Sequence, residues 1–427
     1  MDYREFLYEH KLGEEFVEEG EVMALFFSEM EKGLSGEDSS LRMIPTYVKS
    51  PDTLIKNEDV IVMDAGGTNF RTCLLHFDDN GKPVITDFRK VAMPGVKKEV
   101  SAKEFYSIFA DNIERFMGRS NRLGFCFSYA AEITKDHDGI PLMFSKEIKA
   151  PETLGRPLGK EILAVLASRG YDVSKMKVSV VNDTVATLLA AKSECCIDAS
   201  GYVGFILGTG TNTAYIENNS NIKKLKLEEG SQIINTESGC LRLELTDLDK
   251  LFMETTADPN SYHMEKKISG AYIGAFSFFV IKKAIEEGVF SPLFASSIKN
   301  LNELTTTDVG YFINSPSDKN TTLGKLNMSE EDNRALYMIL KTIIIRASKL
   351  TALNLTCAVL KGVKKSSPEH PVVINADGTT FYKLPYLEAY TRYYLDKLLE
   401  KENHAFYKII NIDSSPIIGA AISALSI

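Results

Sequence analysis

The stretch VIVMDAGGTNFRTCLLHF, residues 60–77, places an aspartate and two glycines between two apolar runs. The apolar runs predict two buried strands, and the adjacent glycines predict a tight turn between them. Backbone N–H groups in a glycine turn can approach an anion without hindrance from a Cβ atom, and threonine adds a hydroxyl donor. Asp64 would repel a bound phosphate unless a cation such as Mg²⁺ lay between them. We therefore interpret the stretch as a phosphate and metal turn.

A second stretch repeats this pattern. In LGTGTNTAYI, residues 207–216, the Gly-Thr-Asn of positions 210–212 aligns with the Gly-Thr-Asn of positions 67–69. Two such turns predict a duplicated lobe, with a polyphosphate held from both sides. The alternative is that glycine and Thr-Asn are simply common in hairpin turns.

Strands alternate with helices along the chain, which predicts an α/β fold with mixed sheets. The sequence does not contain either of two other common nucleotide-binding motifs. GRPLGKE, residues 155–161, has the wrong spacing for a P-loop. GTGTNT, residues 208–213, lacks the third glycine of a dinucleotide fingerprint and enters a strand-like segment.

Composition narrows the class of protein. The chain has 427 residues, a length that favours two lobes over one compact unit, and a net charge of −9, which argues against binding to nucleic acid or anionic membrane. Its six cysteines form no C-x-x-C pair, as expected for free thiols in a reducing compartment. The charged first residues and the short apolar stretches, below the roughly 20 residues that span a bilayer, predict a cytoplasmic protein.

Asp183 in SVVNDTVATLLA, residues 179–190, follows an apolar strand and heads a helix. One interpretation is an ordinary helix N-cap. The other is a general base that takes a proton from a substrate hydroxyl, with Asn182 binding a neighbouring hydroxyl. Spacing alone leaves both open.

Scattered polar residues add a mixture of hydrogen-bond donors and acceptors. Each of them alone fits a surface or capping role, and Lys146 alone fits a solvated amine. Together they suit a polyol, whose hydroxyls should be paired when buried. They are Ser128, Ser145, Lys146, Asn212 and Glu237.

The chain resembles the hexokinase family, which includes glucokinase and the yeast sugar kinases, from about residue 55 onward. The motifs that carry the resemblance are DAGGTNFR (64–71), LGFCFSY (123–129), FSKEIKA (144–150), VVNDTVAT (180–187), GTGTNTAYIE (208–217), EKKISGAYIG (265–274) and ADGTTFYKL (376–384). This resemblance implies a duplicated ribonuclease-H-like fold of the actin-like ATPase type, with two lobes around a cleft. We expect a small lobe of residues 52–184 plus 416–427 and a large lobe of residues 1–51 plus 185–415.

The resemblance also implies an activity, which is ATP- and Mg²⁺-dependent phosphorylation of a hexose such as glucose at its 6-hydroxyl. Asp183 would be the general base, with Arg71 and Lys146 near the transferred phosphoryl group. The sugar would contact Ser128, Ser145, Lys146, Asn182, Asp183, Asn212 and Glu237. ATP would contact Gly67, Thr68, Asn69, Gly208, Thr209, Gly210, Asp377, Gly378, Thr379 and Ser415, and Asp64 would assist both ATP and Mg²⁺ binding.

The chain departs from the family at three places. The family carries a second sugar-binding glutamate, which we expect at the position of Ala275, so an acceptor for sugar hydroxyls should be missing. The proline that usually follows the family's FSF is absent from FSYAAE, residues 127–132. The last nucleotide loop, residues 413–421, keeps only Asp413, Ser415 and the final Gly-Ala-Ala of the family pattern.

Three alternatives stay open. The first is a kinase of another hexose or of an amino sugar, which the loss at Ala275 would favour. The second is a non-catalytic sugar sensor of the same fold, although no helix-turn-helix or basic arm precedes residue 50. The third is an ATPase that acts on protein conformation. The expected partner is a small-molecule hexose, with no nucleic acid and no membrane.

Overall fold

The computed structural model describes residues 1–51, 53–144, 148–193 and 197–427. The strands are β1 (Ile44–Pro45), β2 (Val60–Gly66), β3 (Asn69–Phe77), β4 (Pro83–Ala92), β5 (Arg122–Phe127), β6 (Ala131–Ile133), β7 (Gly139–Pro141), β8 (Lys177–Val181), β9 (Gly201–Leu207), β10 (Thr211–Asn218), β11 (Ser231–Asn235), β12 (Val372–Asp377) and β13 (Tyr407–Ile410). The α-helices are α1 (Tyr3–Glu9), α2 (Glu19–Ser35), α3 (Ala102–Ile113), α4 (Leu158–Ser168), α5 (Asp183–Ala190), α6 (Asp247–Glu254), α7 (His263–Ile268), α8 (Ile273–Glu286), α9 (Pro292–Ile298), α10 (Thr306–Asn314), α11 (Glu330–Gly362), α12 (Thr379–Lys383), α13 (Leu387–Leu395) and α14 (Ser415–Leu425).

Two mixed sheets share one topology. The first has the strand order β4-β3-β2-β5-β8, and the second has the order β11-β10-β9-β12-β13 with β1 added beyond β11. In each sheet three successive strands pair antiparallel, a fourth strand pairs in parallel with the first of them, and a fifth pairs in parallel with the fourth. The predicted duplication is therefore confirmed, and both glycine turns connect the first two strands of a sheet.

The two sheets belong to two lobes, as the sequence predicted. Strands of the first sheet lie within residues 52–184, and those of the second lie in the chain before and after that range. The residue at which one lobe ends and the other begins stays a prediction.

Helices α5 and α14 form the layer between the lobes. Helix α14 packs on β2, β5, β8 and α5, while α5 packs on β9, β10 and β12 of the second sheet. Helix α14 lies close to both β5 and α5 because small residues occupy the contacts. A Cβ atom on Gly124 of β5 would lie 2.2 Å from the carbonyl oxygen of Ala420, and one on Gly419 would lie 1.9 Å from that of Ala186.

The long helix α11 is the centre of the second lobe. Its length and apolar composition would allow it to cross a membrane, which corrects the expectation that every apolar stretch is too short. Its most apolar window is 94% buried inside the protein, as in a core helix. The described cysteines Cys73, Cys126, Cys240 and Cys357 are free thiols, whereas Cys195 and Cys196 lie outside the described residues.

Candidate active site between the lobes

The first glycine turn joins β2 to β3 and opens to solvent. Gly67 has a φ of 52°, in the left-handed region that favours glycine, and its carbonyl oxygen accepts a 2.5 Å hydrogen bond from the hydroxyl of Tyr129. Gly67 and Thr68 are exposed, and Asn69 is half-buried at the start of β3. The exposed turn is therefore accessible to an anion, and its contacts with phosphate stay a prediction.

Asp64 lies at the end of β2 and is 3% exposed. Its Oδ2 atom pairs at 2.8 Å with Nη1 of Arg71, which faces it across the hairpin. Burial raises the pKa of Asp64, the Arg71 guanidinium opposes this shift, and the carboxylate of Asp377 adds to it. Carboxylates that repel one another in this way favour a bound cation.

Asp64 could bind Mg²⁺ only together with water molecules and the phosphate oxygens of a bound substrate. Within residues 1–51, 53–144, 148–193 and 197–427, no group of three or more metal-ligating side chains is arranged to hold a metal ion. Mg²⁺ typically keeps several waters and binds through one or two carboxylates plus substrate phosphates. Asp64 is suited to that partial role, directly or through water.

The second glycine turn, residues 208–210, joins β9 to β10. The N–H of Gly208 donates to the carbonyl oxygen of Gly210 at 3.0 Å, and Thr209 at the tip is exposed. The carbonyl oxygen of Gly208 accepts hydrogen bonds of 2.8 Å from the N–H of Gly270 and the hydroxyl of Thr380. These bonds fix the turn against two other segments of the large lobe.

The third predicted nucleotide segment meets the second turn. Gly378 has a φ of 121°, and a Cβ atom there would lie 2.2 Å from the carbonyl oxygen of Leu207, so that only glycine fits. Its N–H donates to Oδ1 of Asp377 at 2.6 Å, and exposed Thr379 begins α12. The structure therefore brings the segments around Asp64, Gly208 and Asp377 to one place.

Asp183 is the first residue of α5, at the junction of the lobes. The N-cap is Asn182, whose Oδ1 atom accepts from the N–H of Thr184 at 2.9 Å, so the interpretation of Asp183 as the N-cap is wrong. Burial raises the pKa of Asp183 to about 7. The hydroxyl of Ser128 opposes the shift by donating to the carboxylate, whereas the charges of Asp64 and Glu237 increase it.

A chain of amide and carboxylate groups continues from Asn182 into the large lobe. Nδ2 of Asn212 donates to Oδ1 of Asn235 at 2.7 Å and lies 3.4 Å from Oδ1 of Asn182. Nδ2 of Asn235 donates in turn to Oε1 of Glu237 at 2.9 Å, and burial raises the pKa of that glutamate. The predicted residues Ser128, Asn182, Asp183, Asn212 and Glu237 thus lie together, whereas Ser145 and Lys146 lie outside the described residues.

Glu265 is a second carboxylate at this site, and sequence reasoning missed it. Its Oε2 atom accepts from the N–H of Thr211 at 3.0 Å, and burial and the charge of Glu237 raise its pKa. Ala275 is exposed on α8, so the expectation that an acceptor is lost at that position is wrong. The available signal was the glutamate that opens EKKISGAYIG, a motif already recognised as family-like.

Ser415 does not line the cleft. It is fully buried at the start of α14, where its hydroxyl accepts from Nδ2 of Asn375 at 3.0 Å and donates to the carbonyl oxygen of Ile412 at 2.6 Å. The prediction that its side chain contacts the nucleotide is therefore wrong, because its buried hydroxyl bonds to Asn375 of β12 and to the carbonyl oxygen of Ile412 just before α14.

Two copies of one mixed-sheet topology around a cleft define the actin-like ATPase fold. Two sequence profiles, both described as hexokinase, match this chain, one over residues 3–193 and the other over residues 202–426. The chain belongs to the hexokinase family, whose members are enzymes that phosphorylate a hexose with ATP. The predictions of the family and of a hexokinase-type enzyme are confirmed.

Curated relatives agree with this assignment. The chloroplastic hexokinase-4 of Oryza sativa subsp. japonica is 29% identical, over 93% of this chain and 83% of the relative. Hexokinase-2 of Homo sapiens is 28% identical over 90% of this chain and 44% of the relative. The chain therefore spans most of the rice protein but less than half the length of the human one.

Solved structures confirm the fold. A hexokinase from Schistosoma mansoni complexed with glucose has a TM-score of 0.77 at 24% identity, covering 100% of this chain and 99% of that chain. A second hexokinase structure has a TM-score of 0.79 at 18% identity, covering 99% of this chain and 98% of that chain. The prediction of a duplicated fold of the actin-like ATPase type is confirmed.

Proposed function

We propose that this chain transfers the γ-phosphoryl group of ATP, bound with Mg²⁺, to the 6-hydroxyl of a hexose, with Asp183 as the general base. The observation that carries this proposal is the position of Asp183, which interacts with Ser128 and Asp64 of one lobe and Glu237 of the other. A base with a pKa of about 7 can accept a proton from a hydroxyl at neutral pH.

The nucleotide would lie between the two glycine turns. Backbone N–H groups near Gly67 and Thr209 would hold phosphate oxygens, Asp64 would assist Mg²⁺, and Arg71 would move toward the transferred phosphoryl group. When bound, Mg²⁺ would neutralise part of the negative charge on the phosphate oxygens. Catalysis in such a site depends on positioning and on neutralisation of charge more than on covalent chemistry.

The sugar would lie against Glu237, Glu265 and Asn212, with its reacting hydroxyl toward Asp183. The carboxylates of Glu237 and Glu265 and the amides of Asn212 and Asn182 provide the acceptors and donors that a buried polyol needs. Because Glu265 supplies the second carboxylate, the site favours glucose or a close stereoisomer over a substrate that lacks hydroxyls at these positions. Glucose in the structurally similar Schistosoma mansoni hexokinase supports this choice.

Water is the competing nucleophile. Sugar binding would draw the lobes together, which would exclude solvent and complete the site only when an acceptor hydroxyl is present. Asp183 is suited to this coupling because it heads α5, which packs against the second sheet while its N-terminal carboxylate faces the first lobe.

A cytoplasmic location remains a prediction.

The direct test incubates the purified chain with ATP and a panel of glucose, mannose, fructose, glucosamine and N-acetylglucosamine, and measures ADP and sugar phosphate. We expect equal amounts of both products with glucose, and loss of both when the divalent cation is chelated. Formation of ADP without any sugar phosphate across the panel would contradict the proposal and indicate an ATPase.

Glu265→Gln should weaken glucose binding by about 10- to 100-fold, because hydrogen bonds to a charged acceptor contribute roughly 1.5–3 kcal/mol each. Calorimetric titration with glucose measures this change without requiring turnover. The matched control is Ala275→Glu on the exposed face of α8, which should leave glucose affinity unchanged. If Ala275→Glu bound glucose more tightly and Glu265→Gln bound it as well as the wild type, position 275 rather than Glu265 would be the place of the second sugar-binding carboxylate.

A further inference from the structure

A second cavity lies in the large lobe, away from the cleft. It has a volume of about 750 Å³ and is bounded by the start of α2, the segment 242–246 and a floor formed by α6, α7 and α11. Small-molecule sites are typically cavities of about 300–1,000 Å³ with apolar walls and a few placed polar groups. The walls here include Val17, Val22, Leu25, Leu243 and Leu350.

The floor of the cavity carries two cations and one carboxylate. Asp249 accepts from both terminal nitrogens of Arg346, at 3.2 and 2.9 Å, and also from Nζ of Lys267. All three side chains are nearly inaccessible, with exposed fractions of 3%, 4% and 6% for Asp249, Arg346 and Lys267 respectively. The cluster therefore holds an excess positive charge in a buried place.

The centre of the Phe276 ring lies 5.1 Å from the Arg346 guanidinium carbon, and two further observations describe what else surrounds the excess charge. Nε of Arg346 is buried without a hydrogen-bond acceptor among the residues that the structure describes. Neighbouring His263 is kept neutral, because burial lowers its pKa and the charges of Lys266, Lys267 and Arg242 lower it further. Burial and Arg346 lower the pKa of Lys267 to about 8, which leaves it protonated at neutral pH.

The rim of the cavity limits the charge that a ligand can carry. Glu18, Glu21 and Glu244 are exposed there beside the cations Lys11 and Arg242. Three carboxylates repel an approaching phosphate dianion more strongly than a monoanion. Apolar walls between rim and floor require an apolar body behind the anionic group.

We propose that this cavity binds a small monocarboxylate with an apolar body, whose carboxylate lies on Lys267 and Arg346 and whose chain lies along α2. A carboxylate there would neutralise the excess charge of the floor and accept charge-assisted hydrogen bonds. The site is separate from the cleft, although α7 carries both Lys267 and Glu265. The proposal does not depend on the proposed kinase activity.

The test is calorimetric titration of the full chain with octanoate, 1-octanol and inorganic phosphate. We expect octanoate to bind about tenfold or more tightly than 1-octanol, because only the former adds charge-assisted hydrogen bonds, and phosphate to bind no tighter than 1-octanol. Lys267→Met should reduce octanoate affinity to that of 1-octanol. The matched control Lys250→Met, an exposed lysine of α6 outside the cavity, should leave both affinities unchanged.

A second variant protects the test against misfolding. Val22→Trp places a bulky side chain in the cavity from α2 and changes none of the charged residues, and it should abolish the binding of both octanoate and 1-octanol. Equal binding of octanoate to the wild type, Lys267→Met and Val22→Trp would place the binding elsewhere and overturn the proposal. Absence of octanoate binding to the wild type, or preference for phosphate, would do so as well.

Discussion

Asp183→Asn lowers kcat for hexose phosphorylation by about 10²-fold or more, the range expected for loss of a positioned general base. The asparagine keeps the size of the side chain and can still interact with Ser128, so glucose binding should be largely retained. A coupled assay of ADP release measures kcat, and calorimetric titration with glucose measures the affinity for the sugar.

The control for this variant is Asp172→Asn, which changes an exposed carboxylate in the loop after α4. Its turnover should equal that of the wild type. A near-normal kcat for Asp183→Asn would remove this residue from the chemical step, and a parallel loss of glucose affinity would assign it to sugar binding instead.

The pKa of Asp183 also sets the pH dependence of the wild type. A general base acts when it is deprotonated, and the folded-state pKa of this carboxylate is about 7. We therefore expect kcat/KM to fall by about tenfold per pH unit below that value and to level off above it. Asp183→Asn should lose this dependence, which a series of buffers from acid to weakly alkaline pH would detect.

Asp249→Asn should lower the free energy of unfolding by about 3–5 kcal/mol, the usual cost of leaving buried ion-pair partners uncompensated. The variant leaves Lys267 and Arg346 side by side with no carboxylate between them. Burial opposes the charged form of Asp249, but Arg346 and Lys267 outweigh it and lower its pKa. The stability that the Asp249 carboxylate provides is thus fully present above the pKa that Asp249 has in the unfolded chain. It is lost only in strong acid, as the pH falls through the lower pKa of the folded protein.

Urea denaturation at neutral pH measures this effect. Lys267→Met is the matched comparison, because it removes the excess cation and leaves Asp249 paired with Arg346, so it should change stability by less than about 1 kcal/mol. Glu286→Gln, in an exposed pair with Lys283, should change it by less than about 0.5 kcal/mol. Equal losses for Asp249→Asn and Lys267→Met would contradict the assigned charge balance.

The turns and their strands could be predicted from the sequence because their signals are local. An apolar run, an aspartate and adjacent glycines specify a hairpin within residues 60–77, and the second hairpin repeats the pattern. The start of α11 carries a similarly local signal, because Ser329 and Asp332 form a capping box there.

The failures come from contacts between distant segments. Glu265 reaches the cleft because α7 packs beside the second glycine turn, where its carboxylate accepts from the N–H of Thr211. Ser415 leaves the cleft because its hydroxyl bonds to Asn375 of β12. Neither partner could be identified from the spacing of residues along the chain. The N-cap of α5 was instead a local ambiguity, because the neighbouring side chains of Asn182 and Asp183 both accept from the N–H of Thr184.

The position of α14 has a consequence for biosynthesis. The first sheet is complete at β8, but the helix that covers its inner face through Ile417, Ala420 and Ala421 follows the entire second sheet. A ribosome delivers residues in order, so an apolar surface of the nascent first lobe stays uncovered while the large lobe is being made. Such surfaces attract chaperones and aggregate when folding is slow. The first lobe, although its sheet is translated before most of the large lobe, therefore becomes fully native only after it.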